Sequence, residues 1–198
     1  MNCKVVRMRK LYLAGIAFVA LSMVMVLRGP SGASIYTHPN VPVVTPRGAA
    51  ADWFFQVKPF CNVVEVETRL RWTPPPDGME GSAYSAACYA LAGRVETARD
   101  IVLSLEGDDR WKAVGIVFNV AHPVADAGDD RSAGPIMELV VEFWPNHYMA
   151  LYHAGIARFG LGDRAAARDY LERFLQHYDL KDGFTTNAIA VLEELGER

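Results

Sequence analysis

The sequence predicts an all-α chain: a short solenoid of helical hairpins preceded by a single N-terminal apolar helix. Three observations predict it. A basic segment followed by an uncharged apolar run opens the chain. A Gly-to-Ala turn pattern then recurs three times at a period near 34 residues. An apolar stripe at helical spacing follows each recurrence.

The opening segment is residues 1–33. Lys4, Arg7, Arg9 and Lys10 precede "LYLAGIAFVALSMVMVL", residues 11–27, and only Arg28 follows closely. As a helix that run spans ~25 Å, just short of a ~30 Å hydrocarbon core. The charge asymmetry places the N-terminus in the cytoplasm and the rest of the chain across the membrane. Two fates are open. The run is long for a signal peptide, which favours a retained anchor, and Ser31-Gly32-Ala33 offers small residues for cleavage. The expected location is a single-pass inner membrane protein with a periplasmic domain, or a secreted or periplasmic protein after cleavage.

Charge excludes some partners. Residues 34–198 hold 15 basic and 23 acidic residues, a net of −8. Such a domain repels nucleic acid and anionic lipid headgroups. Beyond the apolar run the cysteines are Cys61 and Cys88. Either they bridge, closing a loop of about 28 residues for ~3–4 kcal/mol, or they are buried thiols on helix faces.

Residues 34–51 carry three prolines and no helical period, and read as a linker. The helical domain is expected over 52–198. "DWFFQVKPF" supplies four aromatics expected to pack under the domain edge, with an exposed aromatic patch as the alternative. "NVVEVETRLRW" alternates like a strand, but Asn62 and Glu65 resemble a capping box and Val63, Val66 and Leu70 share a helical face, so helix is preferred. "TPPPDG" ends it.

The repeated pattern is Gly93/Ala98, Gly128/Ala133 and Gly162/Ala167, with the alanines 35 and 34 residues apart. The stripes are Ala98, Ile101, Val102 and Leu105; Met137, Val140, Val141 and Trp144; and Ala167, Leu171, Phe174, Leu175 and Tyr178. One-sided helices of this kind are stable only when stacked on neighbours.

"YMALYHAGIARFGLGDRAAARDYLERFLQHYD", residues 148–179, resembles a tetratricopeptide repeat. Leu151, Ala154 and Gly155 match its first-helix positions, and Ala167 and Leu171 its second-helix pair. Arg158 stands where the family usually has an aromatic, and Asp179 where it usually has its closing proline. Residues 79–112 match more loosely, through Ser82, Ser85, Ala86, Tyr89, Ala98 and Val102. The middle copy keeps Ala133, Met137 and Pro145. Its first helix, "RWKAVGIVFNVA", departs from the pattern and is expected to stop at Pro123. "TTNAIAVLEELGER" reads as a terminal capping helix. The resemblance implies a concave face, lined by first helices, that binds a protein or peptide. It assigns Met149, Tyr152, Ile156 and Phe159 to that groove, with Ala83, Ala87 and Ala90 in the first copy. The implied role is a non-catalytic binding or assembly module in the cell envelope, without a cofactor.

The competing expectation is a small metal-dependent enzyme. "HPVADAGDDRSAGPI", residues 122–136, gathers His122, Asp126, Asp129 and Asp130 in an apparently long acidic turn. Its spacing matches no calcium loop and no paired-histidine zinc helix. His147 and His153, six apart, are expected on different helix faces. The more economical reading is structural: Pro123 stops one helix, Gly128 turns the chain, Asp129, Asp130 or Ser132 caps the next helix, and Pro135 sits in its first turn. "GLGDRAAA" follows a helix rather than a strand, so it is not a phosphate loop.

Overall fold

A computed structural model describes residues 48–196. The N-terminal apolar run and most of the linker lie outside the described residues. Among the described residues there is no strand, and no helix is long and apolar enough to cross a membrane. The elements are α1 (Ala49–Val57), a 3-10 turn (Lys58–Phe60), α2 (Val66–Trp72), α3 (Met79–Leu91), α4 (Val95–Leu103), α5 (Gly107–Asp126), α6 (Asp130–Phe143), α7 (Tyr148–Gly160), α8 (Arg164–His177) and α9 (Gly183–Gly196).

Helices α3/α4, α5/α6 and α7/α8 form three successive hairpins. Neighbours pack α3 on α5, α6 on α7, and α9 on α7 and α8. One continuous apolar core runs from Ala50 in α1 to Leu195 in α9. Ala98, Ala133 and Ala167 are each fully buried, where the second helix of a hairpin meets the first.

The three hairpin turns are the same structure. Gly93, Gly128 and Gly162 have φ of +74°, +86° and +78°. Each glycine N–H donates to the carbonyl three residues back: Ala90, Ala125 and Phe159. The next N–H reaches five back, to Tyr89, Val124 and Arg158. This is the Schellman closure, which satisfies helix-end carbonyls and needs a left-handed residue. Asp129 and Asp163 then cap the following helices, accepting from the N–H groups of Ser132 (3.1 Å) and Ala166 (3.2 Å). Arg94 holds the same place in the first turn without a side-chain cap.

Two proline expectations are corrected. α5 does not stop at Pro123 but runs through it to Asp126. The missing N–H removes one helical bond at a cost of ~3 kcal/mol. Burial of Ala121 and Ala125 and the Gly128 closure hold the last turn against that cost. The acidic turn is therefore not long: three residues, 127–129, join α5 to α6, as 161–163 join α7 to α8. Pro135 lies in the second turn of α6, not the first, with its ring in solvent. The linker expectation also shifts. α1 begins at Ala49, because Ala50 and Ala51 bury against the core.

The ambiguous stretch after Cys61 is helical. Asn62 Oδ1 accepts from the N–H groups of Val64 and Glu65 (both 3.1 Å), and its Nδ2 donates to Glu65 Oε2 (2.8 Å). α2 follows from Val66. Where the family usually carries an aromatic, Arg158 makes a two-pronged ion pair with Glu138 of α6, its Nη2 at 2.7 Å from Oε2.

Hairpins two and three touch through a glycine. A Cβ on Gly134 would stand 2.4 Å from the Ala157 Cβ, whereas a Cβ on Gly115 of α5 would meet nothing within 4 Å. Replacing a helical glycine by alanine normally gains up to ~1 kcal/mol. The expected outcome is opposite signs. Gly134→Ala loses ~1–3 kcal/mol by overpacking, and Gly115→Ala gains ~0.5–1 kcal/mol. Urea denaturation of both variants checks the pair. Equal stabilisation of both would show that α6 and α7 do not approach this closely.

Candidate functional site

The first-helix face is mostly closed. Met149 and Tyr152, expected in the groove, are both buried. α9 crosses the face at this point. Asn187 Nδ2 donates to the Tyr152 hydroxyl (2.7 Å), and Phe184 stands edge-on to the Tyr152 ring at 5.0 Å. Burial raises the Tyr152 pKa. Ile156 and Phe159 are half-buried against the same core. Ala83, Ala87 and Ala90 are also buried, so they offer nothing to a ligand.

An open groove lies between α1, α3 and α5. Phe55 of α1, Lys58 of the 3-10 turn, Tyr84 of α3, and Ile116, Asn119, Val120 and Pro123 of α5 line a groove of about 180 Å³. Phe55 is 61% exposed. The α1 wall is anchored three ways. Phe54 stacks on Tyr84 at 5.0 Å, Trp53 Nε1 donates to the Thr73 carbonyl (2.9 Å), and Cys61 is bonded to Cys88 of α3, with Cα atoms 4.8 Å apart. Sequence reasoning left both packing and an exposed patch open for the aromatics of 53–60; Trp53 and Phe54 are buried and Phe55 is exposed.

The structure brings together part of the acidic-turn set. His122 and Asp126, four apart on α5, share one face. His153 of α7 meets them. Asp126 Oδ1 lies 3.4 Å from His122 Nε2 and 3.5 Å from His153 Nε2. Asp130 Oδ1, at the start of α6, accepts from His153 Nδ1 at 2.9 Å. Asp129 does not join, because its carboxylate caps α6. The fold therefore does not gather all four residues of that set in one place. Sequence reasoning weighed His153 only against His147, and the expected stop at Pro123 hid the His122/Asp126 face.

His147 sits apart as the cap of α7. Its Nδ1 accepts from the Ala150 N–H (3.3 Å), and its ring lies 4.0 Å from that of Phe118. Burial lowers its pKa to about 4; the nearby His122 also lowers it, while a backbone hydrogen bond opposes the shift.

Comparison with curated proteins and with solved structures gave no significant match. Residues 149–179, which span all but the first residue of α7, the Gly162 turn and the whole of α8, match the family model of the tetratricopeptide repeat.

Proposed function

We propose that the helical domain is a protein-binding module and that its docking surface is the groove between α1, α3 and α5. The observation that carries this reading is an apolar groove left open beside the first helices α3 and α5, whereas α9 covers the first helix α7. Tetratricopeptide domains bind protein segments on that face, and the third hairpin matches the family. The groove has aromatic and aliphatic walls with one cation, Lys58, at its rim. It suits a short apolar segment carrying an acidic group. The net charge of −8 over residues 34–198 disfavours nucleic acid. Residues 11–27 would tether the module to the outer face of the cytoplasmic membrane, as their hydropathy and basic flank support.

Crosslinking and pull-down from membranes test both parts. Phe55→Ser removes an exposed aromatic, so the fold survives. It is expected to cut recovery of the partner at least ~10-fold, the scale of a lost aromatic anchor. Trp72→Ser, on the exposed face of α2, is the control and leaves recovery unchanged. Equal recovery with both variants would remove the groove as the docking surface. Release of the chain from membranes by alkaline carbonate would remove the tether.

A further inference from the structure

We propose that His122, Asp126 and His153 form a binding site for one divalent transition-metal ion, zinc by ligand chemistry, joining the second hairpin to the third. The i, i+4 spacing places His122 and Asp126 one turn apart on α5, and His153 arrives from α7. One ligand atom from each lies within 4.8 Å of the other two. Zinc–ligand bonds of ~2.0–2.1 Å in a tetrahedron set ligand atoms ~3.3 Å apart. The carboxylate oxygen already stands 3.4 and 3.5 Å from the two imidazole nitrogens.

The second observation is the state of His153. The residue is 3% exposed, and its Nε2 is buried without a hydrogen bond. Buried polar atoms nearly always have a partner. Its other nitrogen is committed, since Nδ1–H donates to Asp130 at 2.9 Å. In the neutral ring that bond leaves the Nε2 lone pair on the side of Asp126. A carboxylate behind a ligating histidine is the usual outer-shell arrangement of metal-binding imidazoles. A simple His–Asp ion pair fits less well. It would draw His153 Nε2 closer to Asp126 Oδ1 than the 3.5 Å at which it stands.

Two imidazoles and one carboxylate favour zinc over magnesium or calcium, which take oxygen ligands. Asp126 is half-exposed, so the fourth position faces the solvent side. Water or a partner's side chain would fill it. The ion would staple α5 to α7 while Asp130 of α6 positions His153. The site thus draws on both helices of the second hairpin and on the first helix of the third.

The test uses the full chain in detergent, stripped with a chelator and titrated with zinc or cobalt(II). The expected result is one ion per chain, a tetrahedral cobalt spectrum, and a melting temperature that rises with zinc. Asp126→Asn keeps the fold, because the side chain is half-exposed, and should abolish the cobalt spectrum and the zinc-dependent rise. Asp130→Asn should weaken binding 10–100-fold by releasing the His153 ring. His177→Gln, at an exposed position outside the proposed ligand set, should change nothing. No binding in excess zinc, or equal binding by wild type and Asp126→Asn, would overturn the proposal.

Discussion

Reducing the Cys61–Cys88 bond should cost about 3–4 kcal/mol and lower the melting temperature by roughly 10 °C. The two cysteines are 27 residues apart. Opening a loop of that size returns ~3.5 kcal/mol of chain entropy to the unfolded state, and each kcal/mol moves Tm ~2–4 °C in a domain of this length. The bond links the 3-10 end of α1 to a fully buried position in α3, so its loss also frees the wall that carries Phe55 and Lys58. Partner recovery should then fall together with stability. Thermal melts with and without reductant, followed by circular dichroism, measure the effect. An unchanged Tm would show that the bridge does not constrain the folded chain.

Acid should destabilise the domain by roughly 3 kcal/mol through His147 alone. An ordinary histidine titrates near 6.5 and His147 near 4. As pH falls, the unfolded chain takes the proton first. The contribution is complete above pH ~6.5, shrinks between 6.5 and 4, and is gone below 4. The cause is local. The ring is buried, and its Nδ1 accepts the Ala150 N–H at the start of α7. Protonation would turn that acceptor into a donor and place a cation at the positive end of the helix dipole. His147→Asn keeps a neutral capping group. Its urea midpoint should be lower at pH 7, from lost ring packing, but should change less between pH 7 and 4.5 than the wild type. Parallel pH profiles would show that His147 does not drive the acid loss.

The repeats were legible because their signals are local. A left-handed turn residue, a capping aspartate and a buried alanine each act within a few residues, so Gly93, Gly128, Gly162 and their alanines recur visibly at a fixed period. The paired site was not legible. Proline stops a helix by local rule, and that rule hid the His122/Asp126 face. The burial of Met149 and Tyr152 was hidden for a related reason. Family positions say which face a side chain takes, but not that α9 folds back over it.

The sequence by itself determined the helical hairpins, their period and turn chemistry, and the acidic balance of the domain. Only the tertiary structure decided three things: that α5 continues through Pro123, that Cys61 meets Cys88, and that His153 meets His122 and Asp126. The physical reason is shared. Each depends on burial between segments distant in sequence, where packing energy outweighs a local preference of a few kcal/mol.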